Sequence, residues 1–214
     1  MNYLMKTKDL SKMPAIKHGV DHEGTAVREY EQEFGVQVKK CGIFLNNCGI
    51  LGGSPDGLVG EDGILEIKCP YKVKDVTAIT DLSRLGYLKK TPTGDYSLIT
   101  SHKYYHQLQG NIYLTQRAWC DFVIWTPRLM YCIRIARDTH WEENIGLMQL
   151  YFVEWVLPRL RMWYAEEDAR LKSEEEEREK EEERGEEEER GMEKWEGVRC
   201  KLGGVSSVAR NNDE

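Results

Sequence analysis

From Glu166 to Glu196 the chain carries 17 acidic and 7 basic side chains and almost nothing apolar. Such a run either forms a solvated single helix through i,i+4 ion pairs or stays disordered; it cannot enclose a core. Any tertiary structure in the 214 residues must therefore be built ahead of it. The run has a net charge of -10 and residues 197–214 add +1, so the formal -7 of the whole leaves residues 1–165 at +2, with 20 basic and 18 acidic side chains. The acidic balance belongs to a tail and does not exclude a polyanionic ligand for the body. Three segments are expected: a flexible stretch over 1–16, one folded domain over 17–165, and an acidic low-complexity tail over 166–214.

Several classes drop out. No run approaches the ~18 apolar residues of a membrane span, and the start has no apolar stretch of signal-peptide length. Cys41, Cys48, Cys69, Cys120, Cys132 and Cys200 lie far apart with no CxxC pair, which disfavours a structural zinc site and a disulfide scaffold. Reduced, mostly buried thiols in an intracellular protein are expected, with cytoplasm and nucleus not distinguished, and no membrane partner. His18/His22 and His102/His106 have helical i,i+4 spacing but no HExxH accompanies them, so they read as surface or neighbouring histidines.

The body alternates helical and strand patterns. Asp21–Phe34 reads as a helix with Asp21 as N-cap, Val27, Tyr30 and Phe34 on one stripe and Gly35 as the stop. Short apolar runs from Val36 to Lys68, separated by turn signals, read as a set of hairpins. Val73–Leu85 is ambiguous with a helical option, and His102–Gln116 reads as a second helix. Asp121–Trp125 and Met130–Ile135 flank a Thr126-Pro127 turn as a strand pair, followed by a helix near Asp138–Trp155 capped by Asp138. This order makes an α/β or α+β layer domain.

The informative residues are polar ones on apolar faces. Glu23 opens the stripe of the first helix, where it either stays in a frayed, solvated turn or brings a carboxylate to the core edge. In Ile64–Lys68, period-two geometry puts Glu66 and Lys68 on one face, as an ordinary exposed pair or as a site. Asp56, ten residues earlier and directly after Pro55, returns towards Glu66 if the segments form a hairpin. A Pro-Asp followed by Glu-x-Lys on an adjoining strand suits phosphodiester hydrolysis. Carboxylates hold Mg²⁺, the Ile67 carbonyl completes the oxygen set, and the lysine orients water and offsets phosphate charge. Gln109 lies beside Leu108 and Ile112, with Tyr113 one turn on, as a surface glutamine or a site residue.

Four segments carry a resemblance: Gly19-x-x-His22-Glu23-x-x-Ala26-x-x-x-Tyr30-Glu31, Gly53-Ser54-Pro55-Asp56-Gly57, Leu65-Glu66-Ile67-Lys68-Cys69-Pro70, and Tyr105-x-Gln107-x-Gln109-Gly110-x-x-Tyr113. In this order they resemble the YqaJ-type viral recombinases, the lambda exonuclease family within the PD-(D/E)XK nucleases, over about residues 17–165. The resemblance implies a restriction-endonuclease-like α/β core, a central mixed sheet flanked by helices. It implies a Mg²⁺-dependent (or Mn²⁺-dependent) exonuclease acting on duplex DNA ends in recombination or repair. Glu23, Asp56, Glu66 and Ile67 then correspond to metal-holding positions and Lys68 to the catalytic lysine. Gln109 corresponds to the motif glutamine, and Ser54, Gln109 and Tyr113 lie toward substrate. A trimeric homo-oligomer and a single-strand annealing protein follow as partners. No arginine precedes Arg28, although the family usually places one there towards the DNA end. The alternative is a catalytically impaired nucleic-acid-binding module of the same fold, with the acidic tail as a protein-interaction arm.

Overall fold

The computed structural model describes Leu10 and residues 12–203, with side chains up to Trp195. Most of the 1–16 segment, the Cys200 side chain and residues 204–214 lie outside the described residues. The chain forms two compact units, Met1–Glu154 and Trp155–Glu214.

In the first unit, helix α1 runs over Pro14–Phe34, two turns earlier than the apolar stripe marks it. Pro14 supplies a φ suited to a first turn and Met13, not Asp21, stands at the cap. The early turns were invisible to periodicity because Ile16 and Val20 face outward. Glu23 therefore lies inside a long helix and not in a frayed first turn. Gly35, left-handed at φ 63°, ends the helix by donating its N–H to the Glu31 carbonyl.

Strands β1 (Val38–Lys39), β4 (Gly57–Val59), β5 (Gly63–Lys68), β8 (Trp119–Thr126) and β9 (Leu129–Ala136) make one mixed sheet in the order β1-β4-β5-β8-β9. Only β5 and β8 pair in parallel, Glu66 standing opposite Phe122 and Lys68 opposite Ile124. Two small hairpins, β2 (Phe44–Leu45) with β3 (Gly52–Gly53) and β6 (Leu88–Lys90) with β7 (Tyr96–Leu98), lie apart from that sheet. Parallel neighbours need a long crossover, and residues 69–118 supply it, including helix α2 (Lys103–Thr115). Over the ambiguous Val73–Leu85 stretch, the structure takes two 3₁₀ segments, Tyr71–Val73 and Ile79–Leu85, and not the α-helix that was one option.

Helices cover both faces of the sheet. On one, Ala26 and Tyr30 of α1 pack on Leu65, Ile67, Val123 and Trp125. On the other, Leu108 and Ile112 of α2 pack on Ile64, Cys120, Phe122 and Ile124. Burial on both faces explains why β8 reads as an almost unbroken apolar run. Removing a fully buried side chain such as Leu108 (to Ala) costs about 2–5 kcal/mol by cavity formation. A buried link joins the layers: Asp121 of β8 accepts from the Tyr30 hydroxyl at 2.6 Å and from two nitrogens of Arg134 at 2.8 Å.

Asp138 accepts from the His140 and Trp141 amides and so caps a turn, while the helix expected to begin there, α3, runs over Glu143–Tyr151. The five cysteines with described side chains are free; where mostly buried thiols were expected, Cys69 and Cys120 are buried, Cys41 and Cys132 half-buried and Cys48 exposed. In the second unit, α4 spans Leu157–Gly203 and continues without a break from residues 157–165 into the Glu-rich run. Of the two states open to that run, the structure takes the helix, with exposed pairs such as Lys172–Asp168 and Arg190–Glu186. No helix of the described residues is long and apolar enough to cross a membrane.

Candidate active site

The site begins with the turn into β4. The Asp56 amide donates to the Leu65 carbonyl at 3.0 Å, and the Ile67 amide donates back to Asp56 Oδ2 at 2.6 Å. A main-chain and a side-chain bond thus fix Asp56 across from Glu66 at the end of the antiparallel β4–β5 pair. Glu66 is only 2% exposed, because β5 is an interior strand with α2 lying over that face. It is not the exposed partner of an ordinary surface pair.

Three donors surround the Glu66 carboxylate. Lys68 Nζ lies 2.5 Å and Gln107 Nε2 2.7 Å from Oε1, and Asn111 Nδ2 lies 3.3 Å from Oε2. Gln107 and Asn111 are four apart on α2 and so present one face to the strand. The approach of β3 to α2 is equally tight: a Cβ on Gly53 would lie 2.3 Å from Asn111 Oδ1. Lys68 Nζ also stands 5.2 Å from the centre of the Tyr104 ring.

Electrostatically the cluster holds more negative than positive charge in a partly dry place. Burial raises the Asp56 pKa above the ordinary aspartate value, against the pull of the Ile67 amide and Lys68. Glu66 is raised first by burial and then by Asp56, with Lys68 and Gln107 opposing. Glu23, exposed on α1, is raised by partial desolvation and by the charge of Asp56, with Lys68 and Lys40 opposing. Burial pushes Lys68 down, but Glu66 and Asp56 together more than offset it, so the ammonium is held more firmly than usual. The neighbouring Cys69 thiol is pushed up to about 11 by burial, Glu23 and Asp56, and stays protonated.

Glu23, Ile67, Lys68 and Cys69 line one cleft of about 900 Å³, closed on its other side by Tyr87, Lys103 and Tyr104. Among the described residues no group of three or more His, Cys, Asp and Glu side chains converges closely enough to hold a metal ion. Lys68 and the Ile67 amide each occupy a carboxylate oxygen, and Glu23 stays out on its helix. The donor chemistry still suits a hard divalent cation: a buried Glu66 and a half-buried Asp56 whose charge raises the Glu66 pKa, the neighbouring Ile67 main-chain carbonyl, and no competing thiolate.

The structure thus brings Asp56, Glu66, Ile67 and Lys68 together and sets Glu23 on the same cleft. Gln109 goes elsewhere. It is 1% exposed, donates to the Ala136 carbonyl and accepts from the Asp138 amide, both at 2.9 Å. Positions 107 and 109 differ by about 200° around a helix, so only one can reach Glu66. Tyr113 is half-buried near Arg137. Ser54 donates to the Gly42 carbonyl at 3.3 Å and edges a second cleft of about 470 Å³, shared with Gln107 and Asn111. Gln107 and Asn111 are the contributors that sequence reasoning passed over; their i,i+4 spacing was the available signal.

Residues 1–118 match the YqaJ-like viral recombinase domain. Among solved structures, the chain is similar to an alkaline exonuclease (LHK-Exo) from Laribacter hongkongensis, at 29% identity and a TM-score of 0.56 over 74% of this chain and 76% of that one. The LHK-Exo complex with dAMP gives 29% identity and a TM-score of 0.58 over 79% and 80%. A phage-related exonuclease from Haemophilus somnus 129PT, at 17% identity and a TM-score of 0.52 over 73% and 78%, shares the fold. No curated protein sequence matches. With its mixed sheet, its paired helices and more than half its length matched, the chain belongs to the YqaJ-like viral recombinase domain family.

Proposed function

We propose that this protein is a metal-dependent DNA exonuclease acting at duplex ends in recombination or repair. The observation that carries the reading is the cluster of Asp56, Glu66 and Lys68 at the end of the β4–β5 pair, with Lys68 on the wall of a cleft of about 900 Å³. The likeness to alkaline exonucleases supports it.

Asp56, Glu66 and the Ile67 carbonyl are the groups that would hold Mg²⁺ or Mn²⁺, with Glu23 as the outer carboxylate. When bound, such an ion acidifies water and screens phosphate charge. Lys68, fixed by Glu66, orients the attacking water and offsets the charge gathering on the phosphoryl oxygens. Gln107 and Asn111 hold the Glu66 carboxylate in place. Water adds to phosphorus, one ester P–O bond breaks, and the departing alkoxide takes up a proton. The same reading includes a homo-oligomer, a trimer by family resemblance, and a single-strand annealing protein as partners; sedimentation of the purified chain checks the first.

The test is release of nucleotides from 5′-labelled and 3′-labelled linear duplex, beside a circular control, with Mg²⁺ and with chelator. Release from linear DNA only, lost with chelator and cut by about 10²–10⁴-fold in Lys68→Ala, is the expected result. A second reading, a DNA-binding module of this fold with impaired chemistry, is favoured by the failure of three acids to converge among the described residues. Binding of DNA with no release at any metal concentration would establish it instead.

A further inference from the structure

Among the described residues, two buried polar side-chain atoms have no protein partner: His18 Nε2 and the Tyr87 hydroxyl. Tyr87 is only 7% exposed, yet it forms part of the wall of the main cleft beside His102, Lys103 and Tyr104. Leaving a buried hydroxyl unpaired costs about 1–3 kcal/mol, and folded proteins contain few such groups.

The neighbours of Tyr87 say what would satisfy it. The Tyr104 ring stands edge-on 5.0 Å from Tyr87, with Lys68 Nζ at 5.2 Å and Lys103 Nζ at 5.7 Å from its centre. One aromatic ring thus links the unpaired hydroxyl to the site lysine and to a second ammonium group. Lys103 is also the first residue of the 13-residue helix α2, whose positive end lies there. Burial and the neighbouring Tyr104 hydroxyl raise the Tyr87 pKa, so the phenol keeps its proton and can donate it in a hydrogen bond. A neutral donor, an ammonium group and a helix N-terminus together favour an anion carrying accepting oxygens.

We propose that Tyr87 and Lys103 bind a backbone phosphate of the substrate strand, next to the scissile phosphate at Lys68. This deepens the nuclease reading and rests on it. A phosphate contact carries no base information, so the effect is the same for every end sequence.

Tyr87→Phe removes one oxygen and keeps the ring. In the full-length protein it is expected to leave Tm unchanged or raised. It should weaken affinity for a 5′-phosphorylated linear duplex, measured without divalent cation, by about tenfold. KM should rise in parallel while kcat stays within about twofold. Lys103→Gln, at an exposed position, should weaken binding and lower the salt slope of log K by about one. Unchanged affinity and KM in Tyr87→Phe, with Tm raised, overturns the proposal, as does a loss confined to kcat. Should Tyr87→Phe fail to fold, an unaltered salt slope in Lys103→Gln overturns it alone. If wild type releases no nucleotide, the nuclease reading fails separately; the affinity difference between wild type and Tyr87→Phe then still supports the phosphate contact, and its absence removes it.

Discussion

Gln107 donates to Glu66, whereas Gln109, two residues on, is sealed against Ala136 and Asp138. Their alanine variants should therefore separate. Gln107→Ala is expected to keep its Tm and lose about 10–100-fold in kcat, as for other groups that orient a site ligand. Gln109→Ala leaves a carbonyl and an amide unpaired in the interior and should cost about 2–3 kcal/mol in denaturant melts, with the remaining folded protein fully active. Asp56 offers a test through pH. Its folded pKa is raised, chiefly by burial, so the stabilising effect of protonation is full below the unfolded value and is lost as pH rises through the folded one. Asp56→Asn, which keeps an acceptor for the Ile67 amide, should be inactive yet melt about 2–4 °C higher than wild type at pH 8. The gap should close as pH falls below the ordinary aspartate range. Glu66 and Asp56 were legible because a lone carboxylate in an apolar strand and a Pro-Asp turn are both costly without a purpose. Gln107 was not, because the apolar stripe of α2 has a glutamine on each flank and only the docked helix reveals which flank meets the sheet.

Among the elements, the strand pair β8–β9 and helix α2 lie within two residues of their expected ends, since long periodic segments carry the strongest signal. The 3₁₀ segments between Tyr71 and Leu85 were not readable as such. Few of their side chains are buried, so local hydrogen bonding and not an apolar stripe sets their form. The β2–β3 hairpin makes a sharper point. It approaches α2 through Gly53, where any side chain meets Asn111. Gly53→Ala is expected to push Asn111 from Glu66 or the hairpin from the helix, costing about 1–3 kcal/mol by overpacking. Its activity should fall more than that of Gly185→Ala, which has open space around it. Thermal melts and kcat measured on both variants check this.

For the whole molecule, charge is divided as unevenly as structure. Residues 166–214 carry a net -9, against +2 for residues 1–165. Removing residues 166–214 should raise duplex affinity at low ionic strength, with the difference fading as salt screens the field; titrations at several salt concentrations check it. In a peptide of residues 166–203, helix content by circular dichroism should rise on acidification. Repulsion among unpaired acids outweighs exposed ion pairs worth about 0.3–0.5 kcal/mol each. The parallel pairing of β5 with β8 has another consequence, for synthesis. Strand β5 leaves the ribosome about fifty residues before the strand that covers it, so the nascent chain bears an unprotected sheet border rich in isoleucine and leucine. Glu66 meanwhile waits, without Gln107 and Asn111, for the rest of its setting to be made. Translation pauses within residues 69–118 would prolong the interval in which two unfinished copies can zip together.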